Sequence, residues 1–422
     1  MLRGYKYRIY PNQQQRELLD KTFGCTRLVY NLGLECKITA YKSLANVNLS
    51  TYDLCYQLKE LKEYYPFLSE VDSQALQASL HRLEKAFSNF YNGSGFPRFK
   101  SKKDKQSFTC PNNKREVDWD KETLTIPKIK GIPIVLSRKF DGKIKNVTIS
   151  KTTTLKYYAS ILVDDGISEM KPALIKEINA LGIDIGLKDY ITLSDGIKID
   201  NPKYLQKSLE DLGKYQRQAS HKQNGSNNQK KAYKKVAKQY EIIKNKRGDF
   251  LHKLTTKLIC DNQANTFMIE DLSPRNLMQN HNLALSIGDA SWGEFYRQME
   301  YKCKWYGKNL IKIGRFEPSS KRCHNCKHIN EALTLSVRMW ECENCHVIHD
   351  RDINAAINIK MMGLEIANSG SGKKNSKNGK QKIRTRKTKS TDSGAGSSVE
   401  PVEFLDLEGT AKQEKQKLIH KV

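Results

Sequence analysis

The sequence predicts a multidomain α/β protein, and three observations lead to this prediction. Alternating, strand-like segments lie on both sides of a long helical block in the first part of the chain. This block is followed by two apolar strands, each of which carries one acidic residue. Two paired cysteine motifs then precede the last apolar helix. The chain has 422 residues, a length typical of roughly two to four domains.

The first part of the chain predicts a small β-barrel with a helical domain inserted into it. Residues 2–10 alternate between polar and apolar side chains, which predicts a short strand that ends at Pro11. The apolar spacing is helical over residues 13–91, after which a run of glycine and serine breaks the pattern. Strands are predicted again over residues 110–164, in "LTIPKI", "KNVTISKT" and "KYYASILVD".

The second part of the chain predicts a separate sheet and a long basic helical stretch. "LGIDIGLKDYITLSDG" predicts a hairpin whose turn lies at Asp195-Gly196. Residues 202–260 are helical and basic, with a break at 224–228. "NTFMIEDLS" predicts a second buried strand, and "EFYRQMEYKCKWYGKNL" predicts an amphipathic helix. A helix over residues 353–364 closes the ordered part.

The net charge of +27, from 73 Lys and Arg against 46 Asp and Glu, predicts a polyanionic partner. Nucleic acid is the commonest polyanion that proteins bind. After Ala367 the chain is rich in Ser, Gly and Lys, so residues 367–422 are predicted to form a basic, disordered tail. Two interpretations of the tail stay open: a solubilising segment, or a nonspecific contact to phosphates.

The N-terminus shows no secretory signal, and no stretch approaches the roughly 18 apolar residues that span a bilayer. We therefore expect a soluble, cytoplasmic protein without a membrane partner. Six scattered cysteines show no pairing pattern and are expected to be small, buried apolar residues in a reducing compartment.

The other four cysteines form two Cys-x-x-Cys pairs whose spacing predicts a structural Zn²⁺ site. Cys323 and Cys326 form the first pair, and fifteen residues separate it from Cys342 and Cys345. Two sulfurs on each tight turn can reach one ion at about 2.3 Å, and four thiolates leave no position for a substrate. Disulfides are the alternative, which a reducing cytoplasm disfavours.

The rest of this cysteine-rich module carries two further expectations. The segment "ALTLSVRMWE" between the pairs is predicted to supply the strands of a hairpin. His346 and His349 are not needed as zinc ligands, so we expect them on the surface or in contact with phosphate.

Three acidic residues occupy positions where the pattern predicts a buried strand or a helix start. Asp184 and Glu270 interrupt apolar strands, and Asp352 begins the last helix. Three converging carboxylates can hold two Mg²⁺ ions about 3.5–4 Å apart, which suits phosphodiester cleavage. Taken alone, Asp352 fits a helix N-cap and Asp184 a turn residue. Together they predict an RNase H-like nuclease site, to which the neighbouring Asp271 and Asp350 are not assigned.

Long motifs in this order resemble the TnpB proteins of IS200/IS605 transposons, RNA-guided nucleases that are regarded as ancestors of Cas12 effectors. The resemblance is carried by "GIDIGLKDYITLSDG", "MIEDLSPRNL", "NKRGDFLHKLTTKL" and "CENCHVIHDRDINAAINI". It extends from residue 1 to about residue 364 through "LSEVDSQALQASL", "GFPRFKSK" and "LALSIGDASWGEFYRQMEYKCKWYGK". The family's catalytic triad falls on Asp184, Glu270 and Asp352.

The resemblance implies a wedge-type β-barrel split around a helical recognition domain, then a RuvC-type, RNase H-like nuclease domain with a zinc-ribbon insert. The implied domains are the wedge (1–12 and 110–176), the recognition domain (13–109), the RuvC domain (177–314 and 347–366), the zinc ribbon (315–346) and the tail (367–422). Cys345 lies seven residues before Asp352. We therefore hypothesise that the ribbon fixes the junction that carries Asp352, so that zinc loss misplaces this carboxylate.

The resemblance also implies the partners and the cofactors. They are a guide RNA made from the end of the transposon, a double-stranded DNA target beside a short motif, two catalytic Mg²⁺ ions and one structural Zn²⁺ ion. We expect a monomer with its RNA, in a prokaryotic cytoplasm and at the nucleoid when bound to DNA.

The family's recognition positions for the target-adjacent motif fall on one part of the helical block. They are Tyr52, Ser73, Gln74 and Gln77, with Thr109 as a further candidate. Glutamine suits adenine edges, while Ser and Tyr contact bases or phosphates. A solvated helix face is the alternative. The candidate RNA contacts, which could equally be ordinary surface residues, are Tyr5, Lys6, Arg98 and Lys100.

Three rival functions stay open at this point. A catalytically silent, RNA-guided DNA-binding regulator would lack cleavage, and the intact triad argues against it. A compact Cas12f-type CRISPR effector would lie beside a repeat array. A guide-free transposase would recombine transposon ends without RNA.

Overall fold

A computed structural model of the chain describes residues 1–43, 47–111, 115–315, 317–334 and 336–369. The described residues form two compact units, of which one spans Leu2–Gly166 and the other begins at Ile167. Residues 370–422 of the predicted basic tail lie outside the described residues. In the described part of the chain, no helix combines the length and the apolar character needed to cross a membrane.

The Leu2–Gly166 unit combines three helices with one antiparallel sheet. Its elements are β1 (Leu2–Ile9), α1 (Gln13–Lys42), α2 (Thr51–Tyr64), a 3-10 turn (Pro66–Ser69), α3 (Ser73–Tyr91), β2 (Gln106–Cys110), β3 (Glu116–Asp118), β4 (Thr123–Ile126), β5 (Ile129–Val135), β6 (Lys143–Lys151) and β7 (Tyr157–Asp164). The strand order is β2-β6-β7-β1-β5-β4-β3. Because β1 pairs with β7 from Leu2↔Asp164 to Ile9↔Tyr157, strands from both sides of the helical block share one sheet.

One strand prediction in this unit is wrong. "LTIPKI" forms two antiparallel strands, β4 and β5, and not one. The chain reverses at Pro127-Lys128, where Lys128 has a φ of 69°. Proline lacks the N–H that would continue the ladder, which explains the break.

The helices of this unit pack on one another and on the sheet. Asn12 caps α1 and exchanges hydrogen bonds with Gln15, a capping box that follows the predicted strand end. α1 and α3 approach closely at Gly33, where an added Cβ would lie 2.7 Å from a Leu80 methyl carbon. This contact holds α3 in place, so its exposed face is presented by a rigid support.

The second unit combines a mixed sheet, helices on its two faces and a small cysteine-rich module. Its elements are β8 (Ala180–Ile185), β9 (Asp189–Leu193), β10 (Lys198–Asp200), α4 (Tyr204–Lys207), α5 (Leu209–Ser220), α6 (Asn227–Thr256), a π-helical turn (Lys257–Asp261), β11 (Thr266–Glu270), α7 (Pro274–Leu277), α8 (His281–Ala290), α9 (Trp292–Trp305), β12 (Asn309–Ile313), β13 (Met339–Glu341), β14 (Ile348–Asp350) and α10 (Arg351–Asn368). The predicted break in the basic helical stretch separates α5 from α6.

The sheet of the second unit has the order β10-β9-β8-β11-β12. β8, β9 and β10 form an antiparallel meander with the predicted turn at Gly196, while β11 runs parallel to β8 and to β12. One face of β8 and β11 joins the largest core cluster with α6 and α9, through residues such as Ile183 and Ile269. The other face packs against α10.

Two glycines allow α10 to lie directly on the sheet. A Cβ at Gly182 of β8 would lie 2.0 Å from the carbonyl oxygen of Ala356 in α10. A Cβ at Gly363 of α10 would lie 2.1 Å from the Met268 side chain of β11. Since real Cβ atoms do not approach other atoms so closely, the helix can sit at this distance only because both side chains are absent.

Candidate functional site

The carboxylates of Asp184 and Glu270 lie on the same face of the sheet, at the same end of two parallel strands. Ile183 of β8 pairs with Ile269 of β11, so the acidic residues that follow them are neighbours. Side chains alternate along a strand, and the residues two positions earlier, Gly182 and Met268, contact α10. Both carboxylates therefore face the helix that carries the third one.

Asp352 lies in the first turn of α10, and it does not cap the helix. Asp350 takes that position: its side chain accepts hydrogen bonds from the backbone N–H groups of Asp352 and Ile353 at 3.0 and 3.1 Å. Asp350 also pairs with Lys198 at 2.7 Å. The N-cap interpretation of Asp352 is therefore wrong, and its carboxylate is available for other contacts.

The negative charges of the three carboxylates act on one another. The pKa of Asp184 is raised to about 7 by burial first, and then by the charges of Glu270 and Asp352, while Arg351 opposes the shift. Burial also raises the pKa of Glu270, against a hydrogen bond from Ser319. A bound divalent cation would relieve this repulsion, so these oxygen ligands fit a hard metal ion.

Two residues of the cysteine-rich module contact the carboxylates, and the sequence analysis did not identify either. Arg338 donates to both carboxylate oxygens of Asp352 at 3.1 Å. The Ser319 hydroxyl donates to Glu270. Neither residue lies in a recognisable spacing motif, because its role depends on how the module folds back onto β11 and α10.

The ligand atoms of the three carboxylates are less closely grouped than those of the four cysteines. Among the described residues, one group of metal-type ligand atoms lies within 4.8 Å of one another: the thiolates of Cys323, Cys326, Cys342 and Cys345.

The four cysteines converge as the sequence predicts. The sulfur atoms of Cys323 and Cys345 are 3.6 Å apart, and those of Cys326 and Cys342 are 3.5 Å apart. A tetrahedron with Zn–S bonds of about 2.3 Å has edges of about 3.8 Å, so the four thiolates fit one Zn²⁺ ion. No cysteine of the described chain forms a disulfide.

The two halves of the cysteine site repeat one backbone conformation. In each half the residue after the second cysteine, Lys327 or His346, has a positive φ, of 67° and 58° respectively. The backbone N–H of that residue donates to the carbonyl of the first cysteine, Cys323 or Cys342, at 3.0 and 2.8 Å. These paired turns aim both sulfurs of each pair at one point.

Two expectations about the module are wrong. Its hairpin joins β13 to β14 on either side of the second cysteine pair, and most of "ALTLSVRMWE" lies outside these strands. His349 is buried, with 3% of its surface exposed, and its Nε2 lies 3.1 Å from the sulfur of Cys323. His346 is exposed, as expected, and pairs with Glu341.

Buried amides attach the first cysteine turn to α10. Asn354 accepts a hydrogen bond from the backbone N–H of His324 at 2.9 Å and donates to the carbonyl of Arg322 at 2.8 Å. Asn358 donates to the carbonyl of Ser319 at 2.8 Å. Because these residues lie two and six residues beyond Asp352 on the same helix, the cysteine turn and the third carboxylate share one support.

The structure brings three of the candidate motif residues together. Gln74 and Gln77 of α3 and Thr109 of β2 line one groove of about 450 Å³. Ser73 accepts a hydrogen bond from Lys62 at 2.6 Å. Tyr52 is 82% exposed. Tyr52 lies at the start of α2, where the neighbouring Thr51 contacts Glu84 of α3. Glu84 is about 16 Å along α3 from Ser73, so Tyr52 lies apart from the other motif candidates.

The candidate RNA contacts lie in different surroundings. Tyr5 is half-buried and packs against Phe140 with ring centroids 5.3 Å apart. The exposed Lys6 lies over the ring of Tyr158 at 4.3 Å. Arg98 is exposed, whereas Lys100 turns inward over the ring of Tyr30 at 3.5 Å.

Three family profiles match the chain. The OrfB_IS605 family, described as a probable transposase, matches residues 163–281. A Cas12f1-like TNB domain matches residues 292–359, and a helix-turn-helix domain matches residues 1–44. Over residues 1–43 the structure shows strand β1 and the single long helix α1 in place of a helix-turn-helix.

Relatives match almost the whole chain. A Streptomyces pristinaespiralis protein, provisionally named an RNA-guided DNA endonuclease, is 40% identical over 399 residues, which are 92% of this chain and 97% of that protein. InsQ of Escherichia coli K12, which has the same provisional name, is 30% identical over 387 residues, 87% of this chain and 94% of its own.

A solved structure shares the fold. The chain in a Cas12f1–sgRNA–target DNA complex aligns with a TM-score of 0.52 and 14% identity, over 83% of each chain. At this identity the likeness concerns the fold alone.

Proposed function

Because this chain belongs to the TnpB (OrfB) family of IS605-type transposons, we propose that it is an RNA-guided endonuclease that cuts double-stranded DNA with a single active site. The observation that carries this proposal is the convergence of Asp184, Glu270 and Asp352 from two parallel strands and one helix. The mutual effect of their charges on the pKa of Asp184 supports it. Such a set suits metal-dependent phosphodiester hydrolysis.

The proposed domain layout follows the family. The strand order of the second unit, with a three-stranded meander beside two parallel strands, supports an RNase H-like RuvC domain over 177–314 and 347–366. The cysteine module over 315–346 is the proposed zinc ribbon. We assign segments 1–12 and 110–176 to the wedge and segment 13–109 to recognition; the Leu2–Gly166 unit holds these segments except Met1 and residues 167–176.

We assign the catalytic metal to the three carboxylates. Two Mg²⁺ ions bound there would activate water and stabilise the leaving oxygen. For this, Asp184 must be ionised, and Arg338 must release or share the oxygens of Asp352. Ser319 orients Glu270 from the ribbon side. One Zn²⁺ on the four thiolates is structural, because its coordination is closed.

The proposed partners are a guide RNA from the transposon end and a double-stranded target. Pairing between guide and target would supply specificity. The groove of Gln74, Gln77 and Thr109 would read the adjacent motif, since glutamine amides match adenine edges. Tyr5, Lys6 and Arg98 are proposed RNA contacts, whereas Lys100, the fourth candidate, turns inward over Tyr30 and is considered below for DNA. We propose a monomer with its RNA, in the cytoplasm and at the nucleoid on DNA.

Cleavage of a plasmid library tests the proposal. The library carries a guide-matched target flanked by randomised bases, and the protein is purified with RNA transcribed from its own gene end and supplied with Mg²⁺. Cuts beside one flanking motif that vanish in Asp184→Ala are the expected result. Retention of motif-bearing DNA without cuts would indicate a binding regulator. Neither cuts nor RNA-dependent retention would indicate a guide-free transposase.

A further inference from the structure

A small pocket in the Leu2–Gly166 unit is walled by three inward-facing cations. Arg27 comes from α1, Arg82 from α3 and Lys100 from the loop between α3 and β2. The pocket is small, with a volume of about 50 Å³. Three separate elements therefore converge on one small site.

The walls of the pocket are held by hydrogen bonds. Arg27, which is 8% exposed, donates to the side-chain oxygen of Gln106 at 2.8 Å. Gln106 is itself oriented, because its amide nitrogen donates to the carbonyl of Asp104 at 2.7 Å. Arg82 donates to the carbonyl of Ser107 at 3.1 Å. These acceptors help to hold the two guanidinium groups in place at the pocket.

The lining of the pocket carries more positive than negative charge, since Arg27, Arg82, Lys100 and Lys105 line it together with the carboxylate of Asp104. Lys100 contacts the ring face of Tyr30, and its pKa is lowered to about 8 by burial and by Arg82. Burial also lowers the pKa of Arg27 and of Arg82. Asp104, the carboxylate that acts on Lys100 and Arg27, also lines the pocket. It is exposed and accepts a hydrogen bond from the backbone N–H of Ser101. Buried like charges of this kind are costly unless a counter-ion joins them.

Arg82 connects the pocket to the neighbouring groove. It lines both cavities, and its guanidinium donates to Thr109, which lies in the groove with Gln74 and Gln77. A nucleic-acid strand whose bases lie in the groove would therefore have a backbone phosphate within reach of the pocket. Arginine and lysine are the usual partners of such phosphates.

We propose that Arg27, Arg82 and Lys100 form a binding site for one backbone phosphate of the target DNA beside its recognition motif. This inference rests on the proposed function, since it assumes that the groove reads DNA. DNA is favoured over the guide RNA because the pocket shares Arg82 with the groove. The site would fix the register of the duplex, while the groove side chains read its bases.

The test compares Lys100→Gln with Lys103→Gln, an exposed lysine of the same loop that does not line the pocket. Binding of motif-bearing DNA by the protein–RNA complex is measured over a range of salt concentrations. For Lys100→Gln we expect affinity to fall roughly tenfold or more, with the salt slope reduced by about one. Lys103→Gln should change neither by as much.

A methylphosphonate scan of the DNA locates the phosphate. At one position near the motif, the neutral linkage should weaken wild-type binding and have no further effect on Lys100→Gln. If the two losses add at every position, or if Lys100→Gln weakens guide-RNA binding instead, the DNA assignment is wrong. If the wild-type complex shows no RNA-dependent DNA binding at all, the proposed function itself fails.

The free protein gives an independent readout. Lys100→Gln should raise the melting temperature because it removes repulsion from Arg82, and added sulfate should stabilise wild type more than this variant. A lower melting temperature together with unchanged DNA affinity would show that Lys100 only supports the fold, which would overturn the proposal. Chloride at equal ionic strength controls for general salt effects.

Discussion

The cysteine site and the carboxylate site lie next to each other, yet the chain builds them in different ways. The four thiolates come from two short turns of one backbone conformation, within residues 323–345. The three carboxylates come from β8, β11 and α10, and each is more than 80 residues from the next. The first site depends on the local geometry of two turns, whereas the second depends on the packing of α10 against the sheet.

The two sites are also connected. Asn354 and Asn358 of α10 bond the cysteine turn, and Arg338 and Ser319 of the module contact Asp352 and Glu270. A change at the cysteine site should therefore affect the carboxylate site. We propose that the cysteine site supports the carboxylate site.

Removing one thiolate should have the largest effect. In Cys342→Ser we expect zinc loss and melting of the module, because a structural zinc contributes roughly 10–16 kcal/mol in small domains. DNA cleavage should fall more than roughly 100-fold, the upper cost of losing an outer-shell partner. Zinc content, the melting curve and the cleavage rate measure these effects.

Cys260→Ser is the matched control, since this thiol is exposed and lies outside the module. It should leave zinc content and cleavage unchanged. Unaltered folding and cleavage in Cys342→Ser would show that the two sites are not coupled.

Changing one carboxylate should impair only the carboxylate site and leave the cysteine site intact. In Asp184→Asn we expect cleavage to fall by more than roughly 100-fold, with zinc content unchanged. The metal-free protein should become more stable, because the substitution removes repulsion with Glu270 and Asp352. Cleavage assays and thermal melts check both, and a loss of stability would contradict the repulsion argument.

Gly182→Ala should push α10 away from the sheet. The new Cβ would meet the Ala356 carbonyl oxygen, and overpacking of this kind costs about 1–3 kcal/mol. We expect a lower urea midpoint and weaker cleavage with zinc retained. Gly248→Ala in α6 is the control: no atom lies near its added Cβ, so this substitution should stabilise by up to about 1 kcal/mol.

Stability of the metal-free protein should depend on pH through Asp184. Its pKa is about 7 in the fold against 3.8 ordinarily. As pH rises above about 4 the unfolded chain ionises first, so stability should fall until about pH 7. Melts in magnesium-free buffer should show this trend, and Asp184→Asn should flatten it. Cleavage at limiting Mg²⁺ should rise over pH 6–8.

The smallest effect distinguishes the two acidic residues at the start of α10. Asp350→Ala removes the helix cap and should cost about 1 kcal/mol of stability. Asp352→Asn should leave the cap intact and weaken Mg²⁺-dependent cleavage instead. Urea unfolding and metal titration of cleavage separate these outcomes, and equal stability losses would remove the distinction.

Residues whose role follows from local pattern could be predicted from the sequence. The spacing of the four cysteines predicted their convergence, and strand alternation predicted that Asp184 and Glu270 point away from the apolar face. The hairpin of the cysteine module was misplaced, because its strands are only three residues long and flank the turn. Strands this short contain too few residues for an alternating pattern to identify them.

The sequence by itself determined the four-cysteine cluster, most of the strands and helices around it, the excess of positive charge and the family, and it predicted the three carboxylates. Only the tertiary structure decided which acidic residue caps α10, that Arg338 and Ser319 contact the carboxylates, and that Arg27, Arg82 and Lys100 share one pocket. The physical reason is that these contacts join segments far apart in the chain. Close packing at glycines such as Gly182 sets the distances between those segments, and no spacing motif records them.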